Sequence, residues 1–223
     1  MRQPHFVRDY RRVTANFIAA HPLDKAMSLA VGGGDYDAFG AIEADLLAEF
    51  GLNAGNSVID IGCGSGRLST QLAKRFGSDI AYLGVDVVPE LLDYARGRAS
   101  PEYRFELSEG LTIPAADASA DFVVAFSVFT HLKHRETLAY LREAKRTLRV
   151  GGHLIFSFLE LPYHAKIFAY TVVMGLIGHR KVQNHFISRR AILRWGDELG
   201  FKVEKFLPPE RLGQTVAVLQ KLA

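Results

Sequence analysis

The 223-residue sequence predicts an α/β fold in three layers, with a seven-stranded, mostly parallel sheet covered by helices on both faces. From residue 57 onward, short apolar runs alternate with segments whose apolar residues recur at helical spacing, which is typical of strands joined by crossover helices. Near the end of the chain, two strand-like runs are separated by only five residues. A parallel crossover needs a dozen or more residues, so these two runs are predicted to form an antiparallel hairpin.

Seven segments are predicted as strands, and several are continuous apolar runs, as expected for strands that are buried on both faces of a sheet. They are residues 57–62, 81–86, 103–108, 120–127, 152–160, 201–208 and 214–222. The first five are expected to run mainly parallel, and the last two form the predicted hairpin.

Helices are predicted between these strands at residues 67–76, 89–99, 135–148 and 189–199. Pro89 suits a first helical turn, where its missing N–H is not needed. Ser188 is a suitable N-cap for the last of these helices, and Gly200 is a natural residue to end it.

The remaining segments divide the chain. Residues 1–56 are predicted to form an N-terminal helical cap of two amphipathic stretches, broken by the flexible sequence VGGGD at 31–35. Residues 57–223 are predicted to form the main domain, with a lid insertion at 161–187. The insertion contains the apolar stretch IFAYTVVMGLI, which is flanked by His164 and Lys166 before it and by His179, Arg180 and Lys181 after it. It is compatible with a helix packed on its own domain, a lid over a partly hydrophobic ligand, a homodimer surface or peripheral membrane contact.

Composition excludes several classes of protein. Hydrophobic residues make up 48% of the chain and charged residues 23%, which is typical of a globular protein and too apolar for a disordered one. The net charge of +3 is too small to indicate a nucleic-acid partner without a concentrated basic patch. A single cysteine, Cys63, excludes an intrachain disulfide. Because no secretion signal or membrane-spanning stretch is recognised, a cytoplasmic location is expected.

The most informative motif is VIDIGCGSGR at residues 58–67. An apolar strand runs into Gly62, Gly64 and Gly66, which permit positive φ and let a ligand approach the backbone. The helix that follows begins with unpaired N–H groups. Asp86, at the end of the second strand, could accept hydrogen bonds from ribose hydroxyls. A turn without a ligand and an enzyme of the NAD or FAD type are the alternatives, although the dinucleotide spacing is GxGxxG rather than GxGxG.

Four features, in order along the chain, resemble class I S-adenosylmethionine-dependent methyltransferases of the small-molecule type. They are VIDIGCGSG, the strand-end Asp86, IPAADASADFVVAFSVFTHL and LRVGGHLIFS. The resemblance implies a Rossmann-like fold, S-adenosylmethionine as cofactor, and methyl transfer to oxygen or nitrogen of a small, partly hydrophobic molecule. A protein or RNA methyltransferase and a non-catalytic cofactor-binding scaffold stay open. The sequence has no NPPY-like tetrapeptide after the fourth strand, which argues against the protein or RNA methyltransferase.

The resemblance also implies the residues that contact the cofactor. Asp60, Gly62, Gly64 and Ser65 would line its methionine part, Asp86 would hold the ribose, and Val87 and Val88 would contact the adenine. Glu109, or the main chain of Gly110 and Leu111, would reach the adenine amino group. Phe126 and Ser127 would lie under the reacting centre.

A general base is needed only if the methyl acceptor arrives protonated. His131 follows the fourth strand at the edge where open sheets bind ligands, so it is the candidate base, with a packing role as the alternative. Substrate contacts are expected from Tyr36, Glu160, Tyr163 and His164. His134 lies three residues after His131 without a nearby cluster of carboxylates or cysteines, so no metal site is predicted.

Overall fold

The protein is described from a computed structural model, which covers residues 4–161, 163–176 and 184–223. The strands are β1 (Ser57–Ile61), β2 (Ala81–Asp86), β3 (Arg104–Leu107), β4 (Ala120–Ala125), β5 (Leu148–Phe158), β6 (Phe201–Leu207) and β7 (Thr215–Lys221). The helices are α1 (His5–Ala20), α2 (Leu23–Ala30), α3 (Tyr36–Glu49), α4 (Arg67–Phe76), α5 (Pro89–Arg96), α6 (His134–Thr147), α7 (Ala165–Leu176) and α8 (Arg189–Leu199). A 3₁₀ turn covers Phe129–His131.

The strands form one sheet in the order β3-β2-β1-β4-β5-β7-β6. The first five strands are parallel, and β7 pairs antiparallel with both β5 and β6. The predicted mixed sheet and its C-terminal hairpin are therefore confirmed. Chain order reverses between β1 and β4, which is the position where open α/β sheets form ligand-binding crevices.

Helices cover both faces of this sheet because neighbouring strand residues point to opposite sides. In β4, Val123 and Ala125 belong to a core shared with α6 and α8, whereas Phe122 and Val124 belong to a core shared with α3, α4 and α5. All four side chains are buried. This two-sided burial explains why the central strands are continuous apolar runs in the sequence.

Several predicted boundaries are wrong by a few residues. The N-terminal segment contains three helices rather than two, because Pro22 disfavours helical backbone at His21 and separates α1 from α2. Helix α5 ends at Arg96, before Gly97, rather than at residue 99. Leu148 begins β5 by pairing with Ala120, although its helical spacing had assigned it to the preceding helix.

The N-terminal helices lie over the carboxyl edge of the sheet. Phe6 and Val7 of α1 join the core that contains α6 and α8, and Met27 of α2 packs with Val88 and Leu91. This placement puts α1 and α2 above the ends of β1, β2 and β4. The division of the chain into a cap at 1–56 and a domain at 57–223 stays a prediction.

Helix α7 lies within the predicted insertion and exposes apolar side chains, among them Phe168, Tyr170 and Val173. The exposed Phe168 ring also contacts the Phe186 ring, with 5.4 Å between centroids. His179, Arg180 and Lys181 lie outside the described residues. In the described ranges, no helix has the length and apolar character needed to cross a membrane. The lid, dimer and membrane interpretations of the insertion stay predictions.

Candidate cofactor and acceptor site

A cavity of about 220 Å³ opens at the carboxyl edge of the sheet, where chain order reverses. Its floor is formed by the ends of β1, β2 and β4, and its roof by α1 and the turn after α2. The wall residues fall into a polar group near β1 and β2 and a more apolar group beyond the end of β4. These two ends of the cavity can bind chemically different parts of a ligand pair.

The glycine-rich turn after β1 passes close to the cavity. Gly62 has φ +68°, and its N–H donates to the carbonyl oxygen of Val85 at 2.7 Å. A Cβ atom at Gly62 would lie 2.5 Å from Val128 Cγ2, so the position requires glycine for space as well as conformation. Gly64 also has positive φ, and both glycines line the cavity. The predicted turn therefore brings bare backbone to a ligand-sized space.

Asp86 is held at the cavity by three backbone N–H groups. Its Oδ2 accepts a hydrogen bond from Gly64 at 2.9 Å, and its Oδ1 accepts from Val87 at 2.7 Å and Val88 at 3.0 Å. Burial raises the pKa of the Asp86 carboxyl, and these three N–H groups oppose that rise. These bonds use both lone-pair sites of Oδ1 and one of Oδ2, so Oδ2 can accept one further hydrogen bond from a ligand hydroxyl.

A second polar group lines the cavity near β1. Asp60 is buried, and its Oδ2 accepts from the Tyr82 hydroxyl at 2.7 Å. Burial raises the pKa of Asp60 to about 8, against the opposing effect of this hydrogen bond. Glu43 of α3 is also buried and forms an ion pair with Arg67, the first residue of α4. A carboxyl group and an ion pair thus stand at one end of the cavity, where they can meet both an ammonium and a carboxylate.

The other end of the cavity contains Phe126, Ser127, His131 and Gln214. The His131 ring packs edge-on against the Tyr10 ring, with 5.6 Å between centroids. Burial, and to a lesser extent the charge of Asp86, raises the pKa of the Tyr10 hydroxyl. Tyr10 therefore stays neutral and forms part of an aromatic roof, while His131 supplies an imidazole to the wall.

Comparisons with known proteins agree with this arrangement. A family model described as "Methyltransferase domain" matches residues 58–152. The chain is 32% identical over 111 residues to methyltransferase GfsG of Streptomyces halstedii, covering 48% of this chain and 38% of that protein. It is 31% identical over 163 residues to a ubiquinone biosynthesis O-methyltransferase of Cereibacter sphaeroides, covering 71% and 57% respectively. The chain thus spans less than two thirds of the length of either relative.

Solved structures show the same fold. Magnesium protoporphyrin IX methyltransferase from Synechocystis, solved with bound S-adenosylhomocysteine, superposes with a TM-score of 0.64 at 18% identity. The match covers 99% of this chain and 90% of that one. This likeness shows the fold, and the family model and the sequence relatives supply the class. The chain carries a class I S-adenosylmethionine-dependent methyltransferase domain.

The cavity of this methyltransferase domain fits the chemistry of S-adenosylmethionine. Asp86 Oδ2 can accept a hydrogen bond from a ribose hydroxyl, and Val87 with Leu91 provides an apolar wall for a purine. Asp60 and the Glu43–Arg67 pair can meet the charged groups of an amino-acid tail. Gly62 and Gly64 bring backbone atoms into the wall of the same cavity. This fit rests on the donor and acceptor types that line the cavity.

Other residues predicted for the cofactor are placed around the cavity rather than in its wall. The Ser65 hydroxyl donates to Met27 at 3.1 Å, and Glu109 pairs with Arg11 at 3.0 Å. The Gly110 carbonyl accepts from Tyr140 at 3.1 Å. Val88 and Leu111 pack with apolar neighbours. Ser108 lines the cavity instead, so the adenine-side contact is expected one residue earlier in this turn.

The residues predicted for substrate contact do not line this cavity. Glu160 is buried in a bidentate pair with Arg189, whose Nη2 lies 2.7 Å from Oε1. His164 shares a hydrogen bond with the Gly213 carbonyl at 3.1 Å, and Tyr163 is half-exposed above Arg189. These residues tie the end of β5 to α8 and to the β6–β7 turn.

Tyr36 is also outside the cavity wall: its hydroxyl donates to the Ser65 carbonyl at 2.6 Å. It therefore supports the glycine-rich turn from behind, as a link to α3. In the described ranges no group of three or more His, Cys, Asp or Glu residues is arranged to hold a metal. Cys63 is buried, which raises the pKa of its thiol and makes it a poor nucleophile.

The sequence analysis missed three polar residues of the cavity wall, Glu43, Arg67 and Gln214. Glu43 and Arg67 come from different helices and meet only through the packing of α3 on α4. Gln214 lies in the turn between β6 and β7, 87 residues after its partner Ser127. Arg67 directly follows the glycine motif, which is the one hint that could have included it.

Proposed function

We propose that this chain transfers the methyl group of S-adenosylmethionine to an oxygen or nitrogen atom of a small, partly hydrophobic molecule. The observation that carries the proposal is one cavity with two unlike ends. One end holds Asp86, Asp60 and the Glu43–Arg67 pair, and the other holds His131 among apolar side chains. The first end suits an amino-acid nucleoside, and the second suits an apolar acceptor with a polar reacting atom.

The cofactor would supply a methyl group on a positively charged sulfur, which is a good leaving group. The chain therefore has to bind both molecules, align them and exclude water. Asp86 would accept a hydrogen bond from a ribose hydroxyl, and Asp60 with Glu43 and Arg67 would hold the methionine part. Helix α1 closes the cavity with Phe6 and Tyr10, which limits the access of water.

His131 is proposed as the general base for a protonated acceptor. An imidazole can take a proton near neutral pH, and His131 lies in the wall at the acceptor end. Phe126 and Leu132 give this end its apolar character. The O-methyltransferase of ubiquinone biosynthesis among the relatives supports an oxygen acceptor. Such a base would deprotonate a hydroxyl as the methyl group is transferred.

The first test is calorimetric titration of the purified chain with S-adenosylhomocysteine. We expect saturable binding well below millimolar concentration. No binding in the millimolar range would contradict the proposal at its first step. Methyl transfer to a pool of metabolites is then measured as homocysteine release in a coupled assay. Binding of S-adenosylhomocysteine without any such release would favour the non-catalytic scaffold. Turnover lost on treating the pool with nuclease or protease would favour a macromolecular acceptor.

The role of His131 is tested by His131→Gln, with His134→Gln as the matched control. We expect His131→Gln to lower turnover by about 100-fold, the lower range for a general base, with unchanged affinity for S-adenosylhomocysteine. His134 is exposed and contacts the Phe186 carbonyl at 2.9 Å, so its variant should keep full turnover. Equal turnover in the two variants would remove His131 from the mechanism.

A further inference from the structure

Three residues form a closed hydrogen-bond circuit at the acceptor end of the cavity: Ser127 and Gln214, which line the cavity, and Ser157 behind them. The backbone N–H of Ser127 donates to Ser157 Oγ at 2.7 Å. The Ser157 hydroxyl donates to Gln214 Oε1 at 2.7 Å, and Gln214 Nε2 donates back to Ser127 Oγ at 3.0 Å. The circuit joins the ends of β4 and β5 to the turn before β7.

The direction of this circuit is fixed by the backbone. Ser157 is fully buried, and its oxygen already accepts from the Ser127 N–H, so its own hydrogen needs an acceptor. Gln214 Oε1 is that acceptor. The opposite orientation of the amide would place its NH₂ group against Ser157 and leave the Ser157 hydrogen buried without a partner. The Gln214 NH₂ group must therefore face Ser127.

The consequence is a hydrogen-bond donor that points away from the circuit. Ser127 Oγ accepts from Gln214, so its hydroxyl hydrogen remains to be donated. In the part of the chain that the structure describes, Ser127 Oγ donates no hydrogen bond, and both Ser127 and Gln214 line the cavity. The hydroxyl is thus prepared to donate to an atom of a bound ligand.

The backbone of Ser127 supports a ligand role. Its φ is +58°, a conformation that glycine adopts with less strain than any other residue. Backbone strain of this kind is typically found at ligand-binding positions. A serine at this position indicates that the hydroxyl is used.

We propose that the Ser127 hydroxyl donates a hydrogen bond to an oxygen atom of the methyl acceptor, and that Gln214 is the positioning residue that sets its direction. The inference rests on the proposed function and narrows its substrate class. The acceptor carries an oxygen with an available lone pair, such as a carbonyl, a carboxylate or a phenolic oxygen, which binds beside Ser127. An amine without an oxygen atom would not use this donor.

The test uses two variants of the full chain saturated with S-adenosylhomocysteine, with neutral 4-hydroxyacetophenone as the probe. Ser127→Gly removes the donor and keeps the backbone conformation. Gln214→Glu keeps the size of the side chain but offers only acceptor oxygens, so the Ser127 hydroxyl turns toward the carboxylate. Each variant is expected to weaken probe binding about tenfold, the effect of one lost hydrogen bond.

The double variant separates positioning from a general structural effect. Because Gln214 acts through Ser127, the double variant should bind the probe no more weakly than either single variant. Additive losses would contradict the positioning role. Affinity for S-adenosylhomocysteine should stay within twofold of the wild type in all three proteins. A parallel loss of that affinity would assign the hydroxyl to the cofactor and overturn the proposal.

The outcome for the wild-type chain separates this inference from the proposed function. Failure to bind S-adenosylhomocysteine would reject the proposed function itself. A second probe, 4-hydroxybenzoate, offers a carboxylate in place of the ketone. Binding of S-adenosylhomocysteine without binding of either probe would reject only the oxygen subsite. The same holds if the two single variants bind the probe as tightly as the wild type.

Discussion

Asp86 and Glu160 are two buried carboxylates at the same edge of one sheet, yet their surroundings differ. Asp86 ends β2, and Glu160 lies two residues after β5. Their exposed fractions are 8% and 5%. Asp86 lines the cavity, whereas Glu160 does not. Position at the end of a parallel strand is therefore insufficient to identify a ligand-binding carboxylate.

The partners of each carboxylate explain the difference. Three backbone N–H groups stabilise Asp86 without neutralising its charge. Arg189 neutralises Glu160 through a bidentate contact, and Thr215 adds a hydrogen bond at 3.2 Å. A carboxylate held by neutral donors keeps its charge and some acceptor capacity for a ligand. A carboxylate paired with a guanidinium stabilises the fold instead.

The largest expected effect comes from isosteric substitution of the two carboxylates. Asp86→Asn should weaken S-adenosylhomocysteine binding about 100-fold, because a charge-assisted hydrogen bond to the ribose is lost. Glu160→Gln, the matched control, should leave this affinity within twofold of the wild type. Titration calorimetry of both variants provides the comparison. Equal losses of affinity would mean that Asp86 and Glu160 do not differ in their contribution to ligand binding.

The second effect concerns stability. Arg189→Ala should lower the free energy of unfolding by about 2 kcal/mol, because it leaves Glu160 buried without its cation. The value is reduced from the fully buried case since the Arg189 side chain is 39% exposed. Arg190→Ala, on an exposed neighbour in the same helix, should change stability by less than about 0.5 kcal/mol. Urea unfolding measures both. A large loss of cofactor affinity in Arg189→Ala would place this pair in the binding site.

The sequence identifies three residues of the polar end of the cavity wall because the geometry there is local. Gly62 and Gly64 directly follow β1 and Asp86 ends the neighbouring β2, so one crossover connection brings them together. The glycine spacing and the strand end are both visible in the sequence. The alternation of strands and helices likewise determines the sheet and its hairpin, while the boundaries depend on packing that the pattern does not contain.

The acceptor end is less predictable because distant segments build it. Gln214 reaches Ser127 because β7, which follows Gln214, lies between β5 and β6 in the sheet. Glu160 follows β5 at the correct edge, but its pairing with Arg189 of α8 turns it into a structural residue. Sequence pattern can place a side chain at an edge. It does not reveal which partner that side chain meets there.

Asp60 provides an intermediate case for the third prediction, since a single hydroxyl group supports its buried carboxyl. Its pKa is about 8 in the folded chain and 3.8 as the ordinary value. Between these values the folded state keeps a proton that the unfolded state has lost. The stabilisation is therefore complete below about pH 4 and is lost as the pH rises through about 8, by up to about 1.4 kcal/mol per pH unit.

Asp60→Asn removes this titration and keeps an oxygen that can accept from Tyr82. Relative to the wild type, the variant should gain about 1 kcal/mol or more of unfolding free energy between about pH 5.5 and about pH 7. Urea unfolding at the two pH values measures the difference, and titrating groups distant from Asp60 cancel in the comparison. A difference that is constant with pH would show that Asp60 has an ordinary pKa.

The smallest effect tests whether the glycine-rich turn near Asp86 depends on support from outside the cavity. Tyr36→Phe removes the hydrogen bond to the Ser65 carbonyl and should lower the free energy of unfolding by about 1 kcal/mol. The affinity for S-adenosylhomocysteine should fall by less than about threefold, because Gly64 still donates to Asp86. Tyr170→Phe, at an exposed tyrosine of α7, is the matched control for hydroxyl removal. Tyr36→Phe could instead lower the affinity as much as Asp86→Asn does. The turn and the carboxylate would then bind the ligand as one unit. In that case the difference between Asp86 and Glu160 would depend on the support of the turn and not on the partners of each carboxylate.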